Sequence, residues 1–378
     1  MAEATGAVTA DVGPDAEAFL RRLPKVDLHC HLLGTVRPTT FGDLARREGL
    51  SLPDAPERIF ADINSTPPDP SLYLDTRIPM PQGRSDDEPD RSYSLFEASD
   101  WVRQVLRGPD DLTRIVYEAL EDAHTVSGTR HVEFSIDRPP PQIEALGYAQ
   151  MVEAYAEGIR LAERDFGITA RMLAAVDRSG TGEEALEWIR TVVDHPHEHL
   201  VGIGLDNLET SGPPERFVDA YRLAGEAGLR RTAHTSEHVP SARNAVTCLD
   251  VLGCERLDHG YFVLEDDAVV ARMRDEQVAF TVVSTTSRRS WRPWRRASIR
   301  AMLDAGLNVF PASDDPGMFP TTLLSEYRIL HDQVGVGLEK LAAMALAGVE
   351  ASWLPEAGKD VLRSDIRREA EALAGGQE

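Results

Sequence analysis

The sequence predicts a (β/α)8 barrel, an α/β fold in which eight parallel strands alternate with helices. Eight short apolar or β-branched runs are spaced along the chain, and amphipathic stretches separate most of them. Eight strands close such a barrel, and 378 residues fit one that forms a single domain. A doubly wound open sheet is the alternative. The predicted strands are Val26–His29, His131–Ile136, Ala170–Val176, Leu200–Leu205, Arg230–His234, Arg256–His259, Val278–Val283 and Leu307–Ser313.

The segments between the strands follow from the same pattern. The predicted helices include Glu183–Val193, Pro214–Ala227, Ser241–Leu252, Asp266–Arg274 and Ser298–Ala305. Residues 1–17 are rich in Ala, Gly and Asp and predict a flexible tail, so that one barrel domain covers residues 18–378. Segment 52–92 follows the first strand, with eight prolines between Leu52 and Asp90. Since barrel active sites lie on that face, the insertion is either a lid and specificity element or a solvated excursion.

The composition excludes several classes of function. A formal net charge of −23 argues against binding to DNA or RNA, whose phosphates need basic partners. The three cysteines Cys30, Cys248 and Cys254 lack Cys-x-x-Cys spacing, which disfavours both a disulfide framework and a thiolate zinc site. The first residues lack a signal-peptide pattern, and no apolar run approaches the ~20 residues that span a membrane. We therefore expect a cytoplasmic protein that acts on a small molecule.

Histidines and an aspartate stand at the carboxyl ends of four predicted strands. His29 and His31 are two residues apart, so their side chains point the same way from the first strand. His234 ends the fifth strand, His259 the sixth, and Asp314 follows the eighth. Strand ends of a barrel meet around one axis, and imidazoles with a carboxylate suit zinc and leave a position for water. The pattern predicts a metal centre for hydrolysis.

Two acidic groups near these histidines need separate interpretation. Glu237 lies three residues after His234, where a carboxyl group beside the metal suits proton transfer, although Glu is also common in first helical turns. Asp314-Asp315-Pro316 is also typical of a simple turn, an alternative that leaves the histidines unexplained. Only three lysines occur in the chain, none at a predicted strand end. This disfavours a two-metal centre bridged by a carboxylated lysine and favours one metal ion.

Four segments resemble the motifs of the adenosine deaminase family of zinc aminohydrolases. They are Pro24-Lys25-Val26-Asp27-Leu28-His29-Cys30-His31-Leu32, His234-Thr235-Ser236-Glu237, Asp258-His259-Gly260-Tyr261 and Ser313-Asp314-Asp315-Pro316. They occur in the family's order and extend over most of the chain. The family fold is an amidohydrolase-type (β/α)8 barrel, which agrees with the strand pattern.

The resemblance implies one zinc ion per chain and a role for each site residue. The zinc ligands would be His29, His31, His234 and Asp314. Glu237 would be protonated and would share its proton with purine N1, while His259 would act as base on the attacking water, which Asp314 would orient. Asp315 would hydrogen-bond N7. The implied reaction converts a 6-aminopurine nucleoside, adenosine or a modified adenosine, into the 6-oxopurine and ammonia.

Three departures from the family put the substrate in question. Leu33 stands where family members that act on adenosine have an acidic residue, which typically binds the ribose 5′-hydroxyl, and leucine accepts no hydrogen bond. Asn207 stands where the family usually has a glycine that approaches purine N3, so the base would sit differently. Segment 52–92 is longer than the family normally has there.

A fourth departure is a group of six arginines between Arg288 and Arg300. Barrel loops after strands seven and eight often bind phosphate, and arginine suits planar anions, so a phosphorylated or carboxylated substrate is one interpretation. The other is an exposed loop that pairs with the acidic surface or with a partner subunit. Trp291 and Trp294 would either stack on a base or anchor the loop.

Alternative functions remain within and outside this class of enzyme. The chain could deaminate a 6-aminopurine nucleotide, a 5′-substituted adenosine or an N6-alkylated adenosine, which Leu33 and the arginines favour. A catalytically silent barrel that binds nucleosides would not need Glu237, His259 and Asp314 together. Nucleic-acid-editing deaminases are disfavoured, because their pairing of a His-x-Glu motif with a Pro-Cys-x-x-Cys motif is absent.

Overall fold

Eight parallel strands form the centre of the protein. A computed structural model describes residues 14–67, 69–81, 83–319 and 321–375, and within these ranges the strands follow one another in sequence order around a single sheet. They are β1 Lys25–His31, β2 Thr129–Ile136, β3 Thr169–Asp177, β4 Leu200–Asp206, β5 Arg230–Thr235, β6 Leu257–His259, β7 Ala279–Val282 and β8 Asn308–Pro311. All eight predicted strands are confirmed, with ends that differ by no more than two residues.

The two ends of the sheet meet where Asp314 pairs with β1. The backbone N–H of His31 donates to the carbonyl of Asp314 at 2.9 Å, and the N–H of Asp314 donates to the carbonyl of His29 at 3.0 Å. These bonds nearly close the barrel, as in a TIM barrel. They also hold Asp314 beside the two histidines of β1, before any metal is considered.

Helices cover the outside of the barrel. Within the described ranges they are α1 Pro14–Arg22, α2 Pro38–Glu48, α3 Pro56–Ala61, α4 Leu95–Val105, α5 Pro109–Ser127, α6 Tyr148–Phe166, α7 Gly182–Asp194, α8 Val218–Glu226, α9 Ala242–Asp250, α10 Asp267–Asp275, α11 Arg292–Asp304, α12 Leu323–Asp332, α13 Leu338–Ala351 and α14 Glu356–Gly375. Because helices lie on one side and other strands on the other, β3 is buried continuously over Met172–Val176. No helix in these ranges combines the length and apolar character that a membrane crossing needs.

Two predicted helix boundaries are wrong for identifiable reasons. Helix α11 begins at Arg292, six residues before the predicted start at Ser298, because Pro293 occupies its first turn, where proline initiates a helix. Most of the arginine-rich stretch is therefore helical. The first turn of the predicted helix Pro214–Ala227 is a 3-10 helix over Pro214–Phe217 that leads into α8.

The N-terminal segment and the proline-rich segment contain more structure than the sequence predicts. Helix α1 begins at Pro14, inside the predicted tail 1–17, and residues 1–13 lie outside the described ranges. Segment 52–92 contains α3 and a short 3-10 helix, and its Tyr73 and Met80 are buried. These two side chains attach the described part of the segment to the folded protein, while most of its other residues between 66 and 92 are exposed.

Candidate active site

Four side chains converge at the carboxyl end of the barrel. His29 and His31 come from β1, His234 from β5 and Asp314 from the segment after β8, and one ligand atom from each lies within 4.8 Å of all the others. Nε2 of His31 lies 3.1 Å from Nε2 of His234 and 3.3 Å from Oδ1 of Asp314. Oδ1 of Asp314 also lies 3.5 Å from Nε2 of His29. The four residues predicted as metal ligands are thus brought together.

The donor set fits a zinc ion. Nε2 of His29 is buried and has no hydrogen-bond partner among the described residues, although it points into the cluster. Buried polar atoms are normally satisfied, so an imidazole nitrogen that has no partner and faces a carboxylate and two other imidazoles fits a site for a cation. Three imidazoles and one carboxylate are ligands that zinc prefers, and they leave room for a reacting water.

A second layer of carboxylates orients the histidines. Asp206, at the end of β4, places Oδ2 3.3 Å from Nδ1 of His31 and Oδ1 3.5 Å from Nδ1 of His234. Asp258 acts through Thr281, whose hydroxyl lies 3.0 Å from Nδ1 of His29 and donates to Oδ1 of Asp258 at 2.7 Å. Such partners fix which imidazole nitrogen faces a metal. No role was predicted for either aspartate from the sequence, although both lie at strand ends.

His259 and Glu237 face each other beside the metal cluster. Nε2 of His259 lies 3.5 Å from Oε2 of Glu237, and both side chains are buried. Burial lowers the pKa of His259 well below its usual value, so the imidazole is neutral and can accept a proton.

Glu237 is paired with a buried arginine that the sequence did not indicate. Arg295 of α11 donates from Nη2 to Oε1 of Glu237, and Nδ1 of His238 lies 2.9 Å from Oε2. Burial alone would raise the pKa of Glu237, but the hydrogen bond from His238 and the positive charge of Arg295 outweigh burial and hold the pKa well below its ordinary value. Pairing with Arg295 favours the carboxylate form of Glu237 in the protein without substrate, a contact that no local sequence pattern indicates. The protonated Glu237 that the resemblance implies stays a prediction.

Glu209 fixes the loop that carries Glu237. Its Oε1 accepts from the backbone N–H of Ser236 at 2.7 Å and from Nδ2 of Asn244 at 2.9 Å. Its Oε2 accepts from the N–H groups of Glu237, His238 and Val239, each at 2.9 Å. Glu209 is 2% exposed, so one buried carboxylate satisfies four successive backbone donors. Sequence reasoning missed this role, because no local pattern links residue 209 to residues 236–239.

Asp315 lies against the backbone of Gly34. A Cβ added at Gly34 would lie 2.0 Å from Oδ1 of Asp315, so only glycine leaves room for this carboxyl group. Burial and the neighbouring Asp314 carboxylate raise the pKa of Asp315 to about 8. A protonated Asp315 could donate a hydrogen bond to a ring nitrogen, which suits the role that the resemblance implies. Asp315 and Gly34 both line the active-site cavity.

Leu33 and Asn207 also line the cavity, as the prediction of substrate-binding residues requires. Asn207 has a φ of 75°, a left-handed conformation that glycine adopts freely and asparagine tolerates, which explains how it can replace the family's glycine. Its side chain is engaged by the protein: Nδ2 donates to Asp177 at 2.9 Å, and Oδ1 accepts from the N–H of Leu208 at 2.7 Å.

The arginine-rich stretch joins the barrel to segment 52–92. The backbone N–H of Arg289 donates to Asn64 at 3.0 Å, and Nη1 of Arg292 lies 2.9 Å from Oδ2 of Asp87. The indole N–H of Trp294 donates to the carbonyl of Ile78 at 3.1 Å. The interpretation as an exposed loop is therefore wrong. Trp291 and Trp294 are both buried as packing anchors.

The fold and the site together define a metal-dependent hydrolase barrel. Residues 83–369 match the family model described as adenosine deaminase. An adenine deaminase of Streptomyces coelicolor is 30% identical over 365 residues, which cover 93% of this chain and 96% of the relative.

Two solved structures share the fold at similar identity. A zinc-bound amidohydrolase from Burkholderia ambifaria has a TM-score of 0.82 and 30% identity, covering 98% of this chain and 96% of the other. An adenine deaminase from Arthrobacter aurescens has a TM-score of 0.76 and 29% identity, covering 92% and 99%. The chain belongs to the adenosine deaminase family. It is a zinc-dependent hydrolytic deaminase that acts on small-molecule aminopurines.

Proposed function

We propose that the protein deaminates a 6-aminopurine nucleoside, adenosine or a modified adenosine, to the 6-oxopurine and ammonia. The observation that carries this proposal is the extent of the cavity. From Glu237, His259 and Asp315 it continues to side chains that a bare ring would not need, including Phe96 of α4 and Asp177 at the end of β3. A substrate with a substituent beyond the purine ring fills such a cavity better than the free base.

The residues take separate roles in this proposal. His29, His31, His234 and Asp314 hold the zinc ion, which when bound activates water as a nucleophile at neutral pH. Asp315 donates a hydrogen bond to purine N7 and so fixes the orientation of the ring. Leu33 supplies apolar contact where a ribose hydroxyl would need an acceptor, and this favours an adenosine modified at its 5′ side over plain adenosine.

His259 and Glu237 move the protons. Neutral His259 takes a proton from the attacking water and passes it to Oε2 of Glu237, which lies 3.5 Å from its Nε2. Because Glu237 starts as a carboxylate paired with Arg295, the proton that reaches purine N1 comes from the water. Protonation of N1 during the attack at C6 weakens the aromaticity of the ring. The remaining proton of the attacking water then moves to the amino group, the bond between C6 and nitrogen breaks, and ammonia leaves.

Segment 52–92 covers the cavity in this proposal. Ser65 lines the cavity, and the hydroxyl of Tyr73 donates to the carbonyl of His238, next to Glu237, at 2.8 Å. These contacts support its assignment as a specificity element that excludes water. A lid that opens to admit substrate would have to break the contacts between Tyr73 and His238 and between Asn64 and Arg289.

Product formation across a panel of aminopurines tests the function. Ammonia release is measured with adenine, adenosine, 5′-substituted adenosines and adenosine 5′-monophosphate, and conversion of N6-alkylated adenosines is followed by chromatography. Glu237→Gln should retain zinc and lose activity by about 10²- to 10⁴-fold, the usual contribution of a positioned proton-transfer group. Glu339→Gln, on the exposed start of α13, is the matched control. Turnover of adenine alone would contradict the nucleoside assignment, and near-normal activity of Glu237→Gln would contradict the proton-transfer role.

A further inference from the structure

Arg288 is a buried cation without a partner. It is 5% exposed, it lines the active-site cavity, and its Nε is buried without a hydrogen-bond partner among the described residues. Within those residues no carboxylate lies within 4.0 Å of its guanidinium group. Its guanidinium group lies over the ring of Trp291, whose centroid is 4.8 Å away.

The other arginines near the cavity have their charges or donors occupied. Arg295 pairs with Glu237, and Arg292 pairs with Asp87. Arg289 donates to backbone carbonyls of segment 52–92, and Arg103, on the opposite side of the cavity, lies 3.0 Å from a carboxylate oxygen of Asp137. Arg288 is the exception. Because Arg295 and Glu237 neutralise each other, the side of the cavity formed by Arg288, Arg295 and Glu237 carries one uncompensated positive charge.

Burying an unpaired guanidinium group is energetically unfavourable, and the chain is rich in acidic residues that could neutralise its charge. The formal charge is −23, yet no described acidic side chain lies within ion-pair distance of Arg288, and Glu237, whose charge acts on it from farther away, is already paired with Arg295. Contact with one indole ring replaces only part of the lost hydration. A cation that is desolvated and left facing a cavity is the arrangement expected of a group that waits for an anionic ligand.

We propose that Arg288 binds an anionic group of the substrate, a carboxylate or a phosphate, so that the enzyme prefers acidic aminopurine nucleosides to neutral ones. This inference rests on the proposed function and names its substrate class. The planar guanidinium matches the two oxygens of either anion. Ser65 and Ser287 line the same cavity and can donate further hydrogen bonds, whereas Leu33 adds no negative charge to repel the ligand.

Matched pairs of anionic and neutral substrates test the proposal. The zinc-loaded full-length enzyme is assayed with adenosine 5′-monophosphate, adenosine 5′-carboxylate and N6-carboxymethyladenosine, and with adenosine, adenosine 5′-carboxamide and N6-methyladenosine as neutral counterparts. Comparison of these pairs shows whether the enzyme prefers a phosphate or a carboxylate, and whether the anionic group must be attached at the 5′ position or at N6 of the ring. We expect kcat/KM for at least one anionic member to exceed that of its counterpart by about 10- to 100-fold, the value of a hydrogen-bonded charge.

Arg288→Ala should remove that preference, and Arg288→Lys should restore part of it. Arg300→Ala, which alters a surface arginine that lies 2.9 Å from Asp304, is the control and should leave the preference unchanged. The proposal is overturned if no anionic member is preferred, or if Arg288→Ala lowers kcat/KM equally for both members of a pair. If no aminopurine is turned over, the proposed function fails. Calorimetric binding of the same compounds then decides whether Arg288 selects anions: an affinity advantage lost in Arg288→Ala supports the site, and equal affinities overturn it.

Discussion

Replacing Glu209 with glutamine should loosen the loop that positions Glu237. In the less costly orientation, the new amide nitrogen stands where Oε1 accepted from the N–H of Ser236 and from Nδ2 of Asn244. Asn244 can turn its amide oxygen towards the new donor, but the buried backbone donor of Ser236 loses its acceptor. This costs about 1–3 kcal/mol, and the three bonds left at Oε2 each weaken by about 1 kcal/mol because the acceptor is no longer charged. The sum, about 4–6 kcal/mol, is a large part of the ~5–15 kcal/mol that stabilises a typical domain.

Local loosening should be visible in the kinetics before the fold is lost. A displacement of Glu237 by about 1 Å is expected to lower kcat by about 100-fold. Zinc should remain, since His234 belongs to β5 and precedes the loop. Ammonia release, metal analysis and urea unfolding check the three expectations. Glu215→Gln is the matched control, because Glu215 is an exposed residue of the same connection that accepts one side-chain bond, from Thr247 at 3.1 Å. Wild-type kcat and unfolding midpoint in Glu209→Gln would refute the reasoning.

Two further variants test the proposed metal ligands and the carboxyl group of Asp315 that is proposed to bind the purine ring. His29→Ala should lose stoichiometric zinc by elemental analysis and activity with it, whereas His195→Ala, on the exposed end of α7, should keep both; full metal content in His29→Ala would exclude His29 as a ligand. Gly34→Ala should displace Asp315, since the new Cβ would lie 2.0 Å from its Oδ1. We expect kcat/KM to fall about 10- to 100-fold at unchanged zinc content, and unchanged kinetics would show that Asp315 does not hold the ring.

The sequence predicted the barrel and the metal cluster because both depend on local patterns. Apolar runs of four to seven residues mark buried parallel strands, and a barrel collects the residues at their carboxyl ends. His29, His31, His234 and Asp314 therefore met as expected without knowledge of any long-range contact. Helix α1 could not be predicted in this way, because the composition of the N-terminal segment is typical of a loose tail and the residues of α1 pack only in the folded protein.

Side-chain partners across the barrel could not be predicted in the same way. Glu209 reaches residues 236–239 and Arg295 reaches Glu237, pairings that depend on how separate loops stack. The start of α11 was missed for a related reason. A stretch dense in arginine and tryptophan has no clean apolar stripe, although Pro293 was a usable sign of a helix start.

Arg295 affects where the proton that reaches the purine ring comes from in the proposed reaction. A proton-transfer carboxyl group whose pKa is raised towards neutral pH can hold a proton before the substrate arrives, but pairing with Arg295 favours the carboxylate form of Glu237. The proton for the ring must then come from the water, so attack and ring protonation are linked through His259 and Glu237. Because Arg295 is buried with Glu237 and Arg288 stands uncompensated on the same wall, the segment after β7 sets both the charge of the proton carrier and the charge that the substrate meets. The substrate preference of this enzyme should therefore depend on that segment more than on the metal ligands.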